Sequence, residues 1–287
     1  MSKGLILEGG GMRGIFVAGV LEYFLEKDVY FDNVFGVSAG ACHGASYCSG
    51  QKGRAYETST AYLDRKEYCS LWSLRTTGDL FGAEFVYHKI PKELSPIDQE
   101  SFEKRGIKFQ VSVTNCETGK AEYPVIENML EQAEFIRASC SLPLLANMVP
   151  LGGKEDLQGG LYMDGGISDS LPLAQSIKQG NEKNVLILTR PRDYRKSATK
   201  TVPLLKLKYR KYPKLVETLA NRHKVYNETL DLIAREEAAG RAFVIAPLGP
   251  LEIGRTERNL EKLEKAYREG YYVAEAMYEK MMAFLEA

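Results

Sequence analysis

Histidine is scarce in this 287-residue chain: only His43, His88 and His223 are present. His43 falls five residues after Ser38 on the same predicted helix, so it is expected to point away from that hydroxyl. His88 sits in a weakly patterned region. His223 lies within Ala220-Asn221-Arg222-His223-Lys224, where the predicted helix is strongly polar and the ring is expected on its solvated face. None has a glycine-rich or turn context, so a Ser–Asp–His triad has little to draw on. The cysteines number five (Cys42, Cys48, Cys69, Cys116 and Cys140), with no Cys-x-x-Cys pair. An odd count without that spacing argues against both a disulfide framework and a zinc site, and no other metal or cofactor is expected. Net charge is zero, which removes any global bias toward nucleic acid. No apolar run approaches the ~18 residues that span a bilayer. A strand-like run begins within a few residues of Met1, leaving no room for a signal peptide. The expected location is therefore cytoplasmic.

What the chain does have is an α/β pattern. Leu5-Ile6-Leu7 reads as a buried strand and Arg13 to Lys27 as a helix with a wide apolar stripe. Asn33 to Val37 then reads as a strand and Ala39 to Tyr47 as a small-residue helix. Strand–helix–strand–helix is the pattern of a mainly parallel sheet covered on both faces. Further strands are expected at Phe109–Val113, Tyr123–Ile126, Val185–Leu188 and Phe243–Ile245. Helices are expected at Met129–Ala138, Pro213–Glu237 and Glu257–Leu285, the last with a break near Gly270. Between Gly53 and Lys104 the periodicity is weak, and the stretch reads either as a lid or as a plain helix-and-loop cover.

Charge is distributed unevenly. Residues 190–214 carry ten Lys or Arg against the single acid Asp193, interleaved with Tyr194, Tyr209 and Tyr212. Such a stretch either lies peripherally on an anionic membrane or forms a solvated loop and helix end paired with the acidic tail. The second reading is the simpler one, and no nucleic-acid recognition motif accompanies the charge.

Gly9-Gly10-Gly11-Met12-Arg13-Gly14 follows the first strand and opens the first helix. This arrangement also fits a dinucleotide fingerprint, which needs an acid at the end of the second strand to hold a ribose. Ser38 stands there instead, while Asp28 and Asp32 lie on the wrong side of the strand. No Gly-Lys-Ser/Thr follows, so a Walker loop is excluded as well. A glycine loop before a helix presents backbone N–H groups to negative charge. Gly36-Val37-Ser38-Ala39-Gly40 places a serine on a sharp strand-to-helix turn, with a glycine on either side to relieve crowding. An anion cradle beside an exposed hydroxyl suits acyl transfer. The base expected for Ser38 is Asp164, which ends Leu161-Tyr162-Met163 at the carboxyl edge of the sheet and precedes Gly165 and Gly166. Partial burial would lift its pKa from near 4 toward a useful value.

Together these elements resemble the patatin-like phospholipases. The resemblance rests on Gly9–Gly14, on Gly36–Gly40, on Asp164-Gly165-Gly166 and on Ala138-Ser139-Cys140-Ser141-Leu142-Pro143, in that family's order and spanning about residues 5 to 190. It implies a three-layer α/β/α fold and hydrolysis of lipid acyl esters by a Ser38–Asp164 dyad through an acyl-enzyme. The backbone N–H groups of Gly10, Gly11 and Met12 would then form the oxyanion hole, with Arg13 holding the loop or meeting a lipid phosphate. Residues 1–190 would form the catalytic core. Residues 191–287, mainly helical and matched by no motif, would pack on it and add a strand near 242–247. One departure is Asp169, where the family often has asparagine. It reads either as a second carboxylate that raises the Asp164 pKa or, preferably, as a helix N-cap ahead of Pro172. Two alternatives keep the same residues: an esterase or thioesterase for small soluble substrates, and a lipid- or anion-binding scaffold without activity.

Overall fold

Alternate residues of the first strands turn to opposite sides. Leu5, Leu7 and Val34 enter one buried cluster, and Ile6 and Phe35 enter another. This period-2 division is what a sheet buried on both faces requires. The computed structural model of the protein describes residues 1–153 and 157–287. The strands are β1 (Lys3–Leu7), β2 (Asn33–Val37), β3 (Lys108–Asn115), β4 (Ala121–Glu122), β5 (Val125–Ile126), β6 (Val149–Leu151), β7 (Gly160–Asp164), β8 (Lys183–Ile187) and β9 (Ala242–Ile245). Their order across the sheet is β6-β7-β3-β2-β1-β8-β9, with β4 and β5 pairing to β3. From β3 to β9 neighbouring strands run parallel. Strand β7 pairs antiparallel with β3, and β6 with β7.

The helices are α1 (Ile15–Glu26), α2 (Ala39–Cys48), α3 (Arg54–Thr60), α4 (Leu71–Thr77), α5 (Gln99–Arg105), α6 (Ala133–Ser139), α7 (Leu173–Lys178), α8 (Val202–Lys208), α9 (Pro213–Ala238) and α10 (Leu260–Glu286). Apolar residues of α1, α2 and α10 fill the core on one face of the sheet, Phe16, Phe24, Ala41, Val273 and Met281 among them. On the other face Leu173 of α7 and Tyr226, Leu230 and Ile233 of α9 pack on Ile6, Phe35 and Leu186. The result is three layers. Each fully buried Phe or Leu in these clusters contributes about 1.5–3 kcal/mol of transfer free energy.

Helix α10 runs without the break expected at Gly270. Helix α1 packs directly on it: a Cβ at Gly270 would meet the Phe16 carbonyl, and one at Gly19 the Tyr267 carbonyl. That glycine therefore permits two backbones to touch. The weakly patterned stretch resolves into α3, α4, a wide-turn π-helix at Glu84–Leu94 and α5. Such short pieces carry too few turns to show a helical period. They bury Tyr68, Leu80, Phe85 and Ile90 in a cluster of their own. No helix among the described residues is long and apolar enough to cross a membrane.

Candidate active site

Strand β2 is followed by a positive-φ residue that is not glycine. Ser38 has φ 54° and ψ −127°, a conformation that costs roughly 1–3 kcal/mol and persists only where the surroundings over-determine it. Those surroundings are visible. The Ser38 N–H donates to Ser139 Oγ at 2.9 Å, and Ser139 is completely buried at the end of α6. A Cβ at Gly40 would strike the Leu7 carbonyl, so only glycine lets α2 start this close to β1.

Strand register brings Asp164 to the level of Ser38. Val37 pairs with Ser112, and the next residue of β3, Val113, pairs with Asp164. A parallel strand would also bring Asp164 to this edge. Strand β7 in fact runs the other way, and places its last residue there because β3 continues beyond β2. Asp164 is buried. Its Oδ1 accepts the Gly166 N–H at 2.8 Å, and its Oδ2 has no hydrogen-bond partner. Burial pushes the carboxyl pKa up, while Arg222, the Ser38 hydroxyl, the Gly166 N–H and Arg255 pull it back down, in that order. Ser38 is thus near enough to be felt, without a hydrogen bond of full geometry to Oδ2.

The glycine loop follows Glu8, a residue the sequence reading passed over. The buried Glu8 carboxylate accepts the Thr189 N–H at 2.6 Å and the Tyr226 hydroxyl at 2.7 Å, and the Thr189 hydroxyl donates to the Gly9 carbonyl at 2.9 Å. The loop is therefore held from β8 and α9 at once. Among the described residues the N–H groups of Gly10 and Gly11 meet no acceptor. The Met12 N–H does: it donates to the Arg255 carbonyl at 3.0 Å, which removes it from the three donors expected of the loop. Arg13 is buried with Nε unpartnered. Burial, then Arg190 and Arg255, lowers its pKa to about 10.

Two pockets meet at Ser38, Gly11 and Leu142. One is an apolar cavity of about 130 Å³ whose walls include Met12, Ile15, Phe81, Ile90, Met129 and Ile136. Its cover comes from the stretch 53–104. The other, of about 40 Å³, is polar and holds Asp164 together with Arg13, Arg190, Lys196, Arg222 and Arg255. Cys42 and Cys140 line the apolar cavity, their sulfurs 3.6 Å apart.

A family model described as patatin-like phospholipase matches residues 5–177. The chain belongs to that family. Residues 212–286 match a second model, described as a domain of unknown function, DUF6363. Similar curated proteins include the uncharacterized protein YjjU of Escherichia coli K12, 29% identical over 193 residues, which are 65% of this chain and 52% of that one. The probable lipid hydrolase 463L of Invertebrate iridescent virus 6 is 24% identical over 63% of this chain and 66% of its own length. Lysophospholipase NTE1 of Mycosarcoma maydis is 29% identical over 63% of this chain and 9% of its own. The chain thus covers less than two thirds of each of these relatives.

Within this patatin-like chain the histidines stand apart from Ser38. His43 lines the apolar cavity, where burial pushes its pKa down to about 4, and it makes no hydrogen bond to Ser38. His88 bonds Glu134 at 2.9 Å. His223 is half-buried, not solvated as expected, and its neighbour Arg222 is the residue that reaches the site. Asp169 fits neither reading offered for it. Its Oδ2 accepts the Tyr123 hydroxyl at 2.7 Å and its Oδ1 the Leu171 N–H, and Pro172, not Asp169, precedes the first residue of α7. It is not among the main influences on the pKa of Asp164. The basic stretch divides. Arg192 and Arg195 pair with Glu237 and Asp231 of α9, whereas Arg190 and Lys196 face the polar pocket.

Proposed function

We propose that this protein hydrolyses acyl esters of lipids, with Ser38 as nucleophile and Asp164 as its base. The observation that carries the reading is Ser38 itself: a strained, buried serine at the junction of an apolar cavity and a polar pocket, level with an unpartnered carboxylate oxygen. Family membership and the printed names of two relatives, a probable lipid hydrolase and a lysophospholipase, support it. The acyl chain lies in the apolar cavity. Asp164 Oδ2 takes the Ser38 proton as Oγ attacks the ester carbonyl, and returns it to the leaving alcohol. The free N–H groups of Gly10 and Gly11 receive the developing oxyanion, each worth about 3 kcal/mol in the transition state. Water then releases the acid by the same route. The long apolar wall favours a lipid over a small soluble ester. A fluorophosphonate probe tests the nucleophile: wild-type protein takes the label and Ser38→Ala does not, whereas absence of label on folded wild type would sink the hydrolase reading.

A base that must be ionised sets the acid limb of the rate profile. Burial raises the Asp164 pKa, so kcat/KM is expected to fall at a pH above the ordinary carboxylate value of about 4. Arg222 is the main influence opposing that rise. Arg222→Gln is therefore expected to move the acid limb to still higher pH, and an unmoved limb would remove Asp164 as the group that titrates.

We further propose that the enzyme meets its substrate at an anionic lipid surface through α8. Leu204 and Leu207 are 51% and 72% exposed, and Lys206 and Lys208 lie beside them in the same helix. Leucines that enter the interface and lysines that meet anionic head groups suit such a contact. Leu204→Asp with Leu207→Asp is expected to abolish sedimentation with vesicles containing phosphatidylglycerol, and retained sedimentation would exclude α8.

A further inference from the structure

Five cations line the polar pocket beside Ser38: Arg13, Arg190, Lys196, Arg222 and Arg255. Unlike Arg192 and Arg195 nearby, none of the five forms an ion pair or donates a side-chain hydrogen bond among the described residues. Arg13 and Arg222 each bury an Nε with no partner at all. Lys196 and Arg190 do no better than lie over the rings of Tyr226 and Tyr194, at 4.1 and 4.8 Å.

The pocket holds two carboxylates, Glu8 and Asp164, against five cations, so the positive charge is offset only in part. Glu8 has its oxygens taken by Thr189 and Tyr226, and Asp164 faces Ser38. The cations also act on one another. Lys196 is pushed down to about 7 by burial and then by Arg222, with Arg255 and Arg190 adding to it against the opposing pull of Glu8. Arg13 is buried and Arg190, Lys196 and Arg222 are half-buried, with the exposed Arg255 at the mouth, and charges drawn even partly out of water without ion-pair partners are costly. The cost disappears when a multivalent anion enters, and guanidinium groups match the oxygens of a phosphate.

We propose that this pocket binds the phosphate group of a phosphorylated lipid, and that the segment beyond the patatin-like match supplies the groups that recognise it. Arg222 of α9 and Arg255 before α10 fall within residues 212–286, the stretch described as a domain of unknown function, and Arg190 precedes it in the loop after β8. The proposal rests on Ser38 being the hydrolytic centre. With the acyl chain in the apolar cavity, the lipid's phosphate, a few bonds from the ester, reaches the cations on the other side of Ser38. The C-terminal segment thereby acquires a role in choosing the substrate.

The test compares phosphatidylglycerol with diacylglycerol of the same acyl chains, in the same neutral detergent micelles. Wild-type kcat/KM is expected to favour the phosphorylated lipid by about ten-fold or more. Arg190→Gln with Arg255→Gln is expected to erase most of that preference, and inorganic phosphate should slow fluorophosphonate labelling of the wild type competitively. Equal loss on both lipids, or a preference that survives the double substitution, overturns the proposal. Phosphate protection with no preference between the lipids assigns the pocket to free phosphate and overturns the lipid assignment. If the double variant does not fold, phosphate competition on wild type carries the test, and its absence is negative. The two readings fail separately: a labelled enzyme without preference loses only the phosphate pocket, and an unlabelled folded enzyme loses the hydrolase.

Discussion

Asp164→Asn is expected to lower kcat/KM for a lipid ester by at least about 10³-fold, while His223→Ala leaves it nearly unchanged. The magnitude follows from the loss of a proton acceptor in a system with no second base, the situation in which catalytic groups fail as a unit. Asparagine keeps the shape and the contact with the Gly166 N–H but cannot take the Ser38 proton. Fluorophosphonate labelling should slow in parallel, since it too needs the serine activated. Steady-state rates of the two variants on one substrate decide the matter. Collapse on loss of His223, with Asp164→Asn still active, would restore a histidine triad.

Gly11→Val is expected to cost about 10²–10³-fold in kcat with little change in KM, close to what removal of an oxyanion donor costs elsewhere. Gly11 has φ +58°, and any Cβ there would press on the Arg255 carbonyl. That carbonyl also holds the Met12 N–H, so the side chain would push the loop off its anchor and swing the Gly10 and Gly11 donors away from Ser38. Backbone strain of this kind costs roughly 1–2 kcal/mol, which for a domain of this size is a few degrees of Tm. A folded variant with unaltered kcat would show that the loop contributes no donors.

The first two strands, the loop between them and the serine turn were legible because each leaves a local trace: an apolar run, a cluster of glycines, a residue type at a junction. Asp164 was legible as well, though through a strand assumed to run the wrong way; nothing local reveals the direction of a five-residue strand. Glu8 and Thr189 lie in ordinary surroundings, and their importance arises from hydrogen bonds across 181 residues. Arg222 and Arg255 sit in polar, helix-rich sequence where an arginine that lines a pocket looks like one that does not. Only packing α9 against the sheet, and the preceding turn of α10 against the loop, separates them. The basic stretch could not be divided for the same reason, because composition does not separate Arg190 and Lys196, which line a pocket, from Arg192 and Arg195, which pair with a helix.

The Arg255 carbonyl sits on the Met12 N–H while its side chain lines the pocket beyond. One residue far along the chain therefore sets both the shape of the loop and the charge around it. On these assignments, bond breaking is inherited with Ser38 and Asp164, and the choice of substrate largely with residues 190–255. Descendants of such a protein can change their diet by altering the second region while the first stays fixed. The peptide linkage at Arg255 is where that freedom stops, since displacing its backbone would disturb the chemistry along with the taste.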